Sequence, residues 1–186
     1  MEVMDKPIVG SILGLISLLF YIVTLLPTIL RVVFPESKET GIPKLLLKHR
    51  RGVGILAFLF AVGHAYIYFN KRNLDFFDPK TFWVYVHGGG TFIIFTLLAI
   101  TSNDWSIKKL KKNWKQLHQL TYPAMFLVAW HIWGKMLGHW SFLTPIGVLC
   151  STAIIVLYCF RLWTEHQAKQ AKQDKQQNTK KKASKV

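Results

Sequence analysis

Apolar residues run along this chain in five long blocks, each close to the ~20 residues that carry a helix across a bilayer core. They extend from about Ile8 to Leu30, Gly52 to Phe69, Phe82 to Ile100, Leu117 to Leu137 and Phe142 to Leu162. Charged residues are kept to the block ends, as with Lys135 and Arg161. Backbone in hydrocarbon must satisfy its own hydrogen bonds, so helices are expected. The ten-residue apolar/polar alternation of a membrane barrel is absent from the sequence. The pattern predicts an all-α integral membrane bundle of five transmembrane helices over residues 1–163. A basic cytoplasmic tail, expected as a frayed helix or disordered, follows over 164–186. Glu2 and Asp5 stand beside Lys6 with no small-residue cleavage site after them, so the first helix is expected to be retained.

Charge changes the picture. The chain carries 24 Lys and Arg against 9 Asp and Glu, a net +15, yet 51% of its residues are hydrophobic. A soluble domain this basic would read as nucleic-acid binding. Here the charges and the apolar residues occupy different stretches, which argues against both disorder and a nucleic-acid module. Of the 24 basic residues, 19 fall in the segments Arg31–Arg51 and Thr101–Leu117 and from Arg161 onward. Basic loops stay in the cytoplasm. The N-terminus is therefore expected outside and the C-terminus in the cytoplasm. The Lys-rich tail would serve topology and attraction to anionic headgroups, or dock an acidic partner. Cys150 and Cys159 lie nine residues apart, on opposite faces of a helix, and imply no disulfide or metal pair.

The chemistry lies in the histidines, because an ionisable side chain at membrane depth is costly. His166 in the tail and His139 near a short outer loop are expected to be incidental or interfacial. His64 lies 13 residues beyond Arg51, and His131 lies 13 residues beyond His118. Both helices run inner to outer, and each step is ~20 Å along the bilayer normal. So His64 and His131 are expected level towards the outer side. His118 is expected level with His49, Arg50 and Arg51 at the inner rim. Two facing imidazoles in an apolar bundle suit six-coordinate haem. The plainer alternative is that they hydrogen-bond neighbouring helices. Gly52, Gly54 and Gly63 would let a macrocycle or a helix approach closely. On an ideal helix His118 and His131 stand roughly 140° apart, so sharing a face needs distortion, for which Pro123 is placed. His87, opening His87-Gly88-Gly89-Gly90, is a weaker candidate, as a supporting partner, a quinone-site group or an alternative ligand.

Several blocks together resemble a known family. Arg50-Arg51-Gly52-Val53-Gly54, Ala57-Phe58 and His64-Ala65-Tyr66 resemble one segment of the ferric reductase-like transmembrane family. Leu98-Ala99-Ile100-Thr101-Ser102-Asn103 and Trp114-Lys115-Gln116-Leu117-His118-Gln119-Leu120-Thr121-Tyr122 resemble two more. The likeness covers roughly Lys48 to Trp133 and is nearest to the MsrQ branch, haem-bearing membrane partners of periplasmic methionine sulfoxide reductases. It implies haem b, one or two per chain, with His64, His118 and His131 as haem-iron histidines. Arg51 stands where larger members keep a fourth histidine, with His49 nearby, and Gln119 replaces a usual Arg.

No Gly-x-Gly-x-x-Gly run is present for a nicotinamide or flavin domain. The expected function is transfer of electrons across the bilayer, as the electron-transfer subunit of an oxidoreductase system. The donor would be a cytoplasmic flavin reductase or a quinol. The acceptor would be a reductase, quinone or ferric chelate at the outer face. Arg50, Arg51 and the Lys108–Lys115 run suit haem propionates, an FMN phosphate or an acidic partner, besides setting topology. The membrane would be a bacterial inner or thylakoid-type one. The rivals are a haem-free scaffold and a quinone or small-molecule transporter using His64 and His87.

Overall fold

The computed structural model describes residues 6–71, 79–136 and 142–183. His139, Trp140 and Arg72 lie outside the described residues. Among these residues there is no strand. The order is α1 (Lys6–Val33), a 3₁₀ turn (Pro35–Lys38), α2 (Ile42–Lys71), α3 (Pro79–Ile100), α4 (Asp104–Leu110), α5 (Lys112–His118), α6 (Thr121–Met136) and α7 (Thr144–Ala183).

α1 sits at the centre. Leu18, Tyr21, Leu25 and Ile29 recur at helical spacing along it and are buried, with Ala57, Phe95, Ala124, Met125 and Ile154 completing the core. Pro27 inside α1 is fully buried. Proline is tolerated in membrane helices where Ser and Thr hydroxyls supply local bonds. Thr24 and Thr28 flank it and donate to the carbonyls of Tyr21 and Leu25. Gly41, at φ 72°, lets the chain reverse into α2. The two helices then pack antiparallel. Phe20 stacks on Phe60 at 5.5 Å, and Ser17 donates to the Ala57 carbonyl at 2.8 Å.

A second antiparallel pair is formed by α3 and α6, and α7 packs on α1 and α6. Among the described residues four helices are long and apolar enough to cross a membrane: Ile8–Val33, Ile42–Asn70, Phe82–Ile100 and Thr144–Gln177. Large apolar side chains such as Leu59, Ile93 and Leu149 point outward from them, as lipid-facing positions do. The chain is thus a multi-pass membrane protein.

The fourth expected span differs in form. It is not one helix from Leu117, because α5 ends at His118 and α6 starts at Thr121. Pro123 explains the break. It has no N–H for the Gln119 carbonyl, which accepts instead from Tyr122 N at 3.0 Å. The interruption therefore falls a turn before the proline, and Pro123 sits in the first turn of α6, where proline is well placed. At 16 residues α6 is shorter than a usual span. Residues 104–118, expected as an inner loop, form two short helices. Asn103 caps α4 by accepting from Ser106 N at 2.7 Å, and Lys111, at φ 49°, separates α4 from α5. The segment after residue 164 continues α7 as helix to Ala183. With 40 residues, α7 is about 60 Å long, twice a bilayer core.

Candidate functional site

The structure brings His64 and His131 together. Their ring centroids are 6.3 Å apart and the rings are nearly perpendicular, at 85°. Both are half-buried. Their helices, α2 and α6, barely pack on each other among the described residues. Each belongs instead to its own pair, α2 with α1 and α6 with α3.

Each imidazole is held by the partner helix of its pair. Nδ1 of His64 lies 2.7 Å from the Gly10 carbonyl oxygen on α1. Nδ1 of His131 lies 2.9 Å from the Val84 carbonyl oxygen on α3. A carbonyl only accepts, so Nδ1 carries the proton in both rings and Nε2 carries the lone pair. That is the tautomer in which Nε2 ligates a metal. Tyr68 also packs against His64, at 4.9 Å between ring centroids. Among the described residues no three His, Cys, Asp or Glu side chains gather as a metal-binding group. The pair suits a centre that brings its own equatorial ligands, as a porphyrin does.

The other end of the bundle is basic. His118 ends α5, with Nε2 3.2 Å from the Thr101 hydroxyl. Trp114 stacks on His118 at 4.0 Å and donates from Nε1 to the Thr101 carbonyl at 2.9 Å. The Thr101-Ser102-Asn103 block and the Trp114–His118 block are thus one unit. Arg51 pairs with Asp104 at 2.7 Å, both side chains well exposed. A cavity of about 420 Å³ opens here, lined among others by Arg50, Arg51, Trp114, Lys115, His118 and Tyr122. Arg161 ties α7 to this end, donating to Tyr122 at 2.9 Å and to Glu165 at 2.8 Å. His118 meets Thr101 at one end of α3 while His131 meets Val84 near the other. So α6 runs alongside α3 despite its shortness.

The family model for "Ferric reductase like transmembrane component" matches residues 13–129. The chain belongs to that family. The matched stretch runs from α1 into α6, takes in His64 and His118, and stops just before His131. The chain is also similar to the protein-methionine-sulfoxide reductase heme-binding subunits MsrQ of Brucella melitensis biotype 2 (strain ATCC 23457) and Brucella abortus (strain 2308). Each is 38% identical over 125 residues, covering 64% of this chain and 53% of the relative. The chain therefore spans about half the length of the curated relatives it matches. No solved structure matches it.

The remaining sequence candidates of this ferric reductase-like chain are dispersed. His49 is exposed on α2. His87 bonds within its own helix, 2.6 Å from the Trp83 carbonyl, and lies between the rings of Trp83 and Trp130 at 5.8 and 5.3 Å. Sequence reasoning missed α1 altogether as part of the site. Its signal was present in Gly10-Ser-Ile-Leu-Gly14, a small-xxx-small spacing that brings helices close.

Proposed function

We propose that this chain is the haem-bearing membrane subunit of a reductase system, carrying electrons from a cytoplasmic donor to an acceptor at the outer face. The observation that carries this reading is the His64–His131 pair. Two metal–imidazole bonds of about 2 Å, with about 1 Å from each nitrogen to its ring centre, separate axial rings by about 6 Å. The pair stands at 6.3 Å, in the ligating tautomer. Haem b held by these two imidazoles would supply a one-electron iron couple, suited to electron transfer and not to substrate activation.

The residues then divide the work by depth. Nε2 of His64 and of His131 would hold the iron, while the Gly10 and Val84 carbonyls hold the rings in place. At the basic end Arg50, Arg51 and Lys115 would attract the anionic phosphate of FMN on a flavin reductase, or hydrogen-bond the oxygens of a neutral quinol. Trp114, His118 and Tyr122 give that cavity aromatic walls. The Lys and Arg excess supports a cytoplasmic side for this end and an outer side for the His64–His131 end. On this reading α6, with the end of α5 before it, is a fifth crossing, since His118 meets Thr101 and His131 meets Val84. His118 has the Thr101 hydroxyl at Nε2 and Arg51 stands at the matching depth of α2, which favours one haem over two.

A haem-free scaffold has one observation in its favour: both imidazoles make interhelical hydrogen bonds. It gives no reason for two rings to stand 6.3 Å apart between helices that do not pack together. A reduced-minus-oxidised absorbance spectrum of the purified chain, expressed with ample haem, separates the readings. A b-type band supports the haem reading, and its absence sinks it.

A further inference from the structure

We propose that Gly14 and Gly88 are paired positioning residues: seats, one on α1 and one on α3, that fix the planes of the His64 and His131 rings. This inference rests on the haem reading above. The two halves of the bundle repeat the same device. On α1 the carbonyl of Gly10 accepts from the imidazole, and the residue one turn later is Gly14. On α3 the carbonyl of Val84 accepts from the imidazole, and the residue one turn later is Gly88.

The glycines are required by contact. A methyl group on Gly14 would lie 2.7 Å from Nδ1 and 2.9 Å from Cε1 of His64. On Gly88 it would lie 2.8 Å from both Nδ1 and Cε1 of His131. Both separations are below the closest approach of real side chains. The ring would have to turn or withdraw, losing its carbonyl bond. The neighbouring Gly89 has nothing within 4 Å of such a methyl. Helix packing as such therefore does not explain Gly88. Each ring thus has its own seat, and the two planes stand nearly perpendicular, at 85°. A ligand's hydrogen-bond partner sets its tautomer, orientation and basicity. Here that partner is backbone, so the glycine that admits the ring is one means by which the sequence controls it.

The test uses the haem-loaded chain in detergent and reads spectra, not turnover. Perpendicular axial imidazoles leave two iron orbitals nearly degenerate, giving ferric low-spin haem a strongly anisotropic electron paramagnetic resonance signal. Wild type and Gly89→Ala are expected to show that signal. Gly14→Ala and Gly88→Ala are expected to shift it towards a rhombic or high-spin form. A second arm stands if the alanine variants do not fold. In His64→Gly, added imidazole should restore the six-coordinate spectrum by donating to the Gly10 carbonyl. Size-matched 4-methylimidazole should bind alike. 1-Methylimidazole, which has no N–H to donate, should bind about tenfold more weakly, the worth of one hydrogen bond. A wild-type signal in both alanine variants, or equal affinity for all three imidazoles, overturns the inference while leaving the haem reading intact. Absence of haem from wild type overturns the haem reading itself, and this inference with it.

Discussion

His64 and His131 stand with ring centroids 6.3 Å apart and planes at 85°, although the helices that carry them belong to different packed pairs. A contact of that kind is not a by-product of packing α2 on α6. It follows from two separate seats, on α1 and α3, that aim one imidazole each at the same place.

On the proposed haem reading, replacing either histidine by alanine would remove one of the two imidazoles that hold the iron and leave the other ring on its own carbonyl. His64→Ala and His131→Ala should each lose nearly all bound haem. His118→Ala should keep its haem, since His118 is engaged by Thr101 and Trp114 at the opposite end. Pyridine haemochrome content per chain measures all three.

Arg51 and Asp104 pair at 2.7 Å, but their side chains are 47% and 80% exposed. Exposed pairs contribute about 0–1 kcal/mol. Arg51→Ala should therefore leave thermal stability nearly unchanged, while slowing reduction by an anionic flavin donor several-fold, an effect that added salt should imitate in wild type. Stability is read by thermal denaturation and the rate by stopped-flow absorbance.

Tyr21 donates from its hydroxyl to the Thr121 carbonyl, buried where α6 begins. This bond joins the central helix to the first turn after the break at Gln119-Leu120. Tyr21→Phe should cost about 1 kcal/mol, seen in denaturant titration, with the haem spectrum retained.

On the proposed topology the basic end faces the cytoplasm. A reporter fluorescent only in the cytoplasm, fused after Val186, should be bright, and a periplasmic phosphatase fused there should be inactive. The opposite result would reverse the proposed direction of electron flow.

Much of this arrangement was legible in the sequence. The depth of each histidine came from counting along apolar blocks bounded by charge. The structure does set His64 beside His131 and gathers His118 with Arg50 and Arg51 around one cavity. The helix break was legible only in part. Pro123 marked a distortion, but its consequence lies at the carbonyl it cannot serve, Gln119, a turn earlier. The break also removes the difficulty of the roughly 140° between His118 and His131 on one ideal helix. They sit on two helices instead. The role of α1 was the least legible, because a backbone carbonyl and a missing methyl carry no chemical signature. Only the spacing of Gly10 and Gly14 hinted at a close approach, and spacing does not say that the approaching group is an imidazole.

The central claim is that His64 and His131 together hold one haem. It is tested most directly by haem stoichiometry with a redox titration, on the purified wild type and on His131→Ala. The account predicts one b-type haem per wild-type chain, titrating as a single one-electron couple, and none in the variant. A haem-free wild type, or a variant with its full haem content, would contradict it.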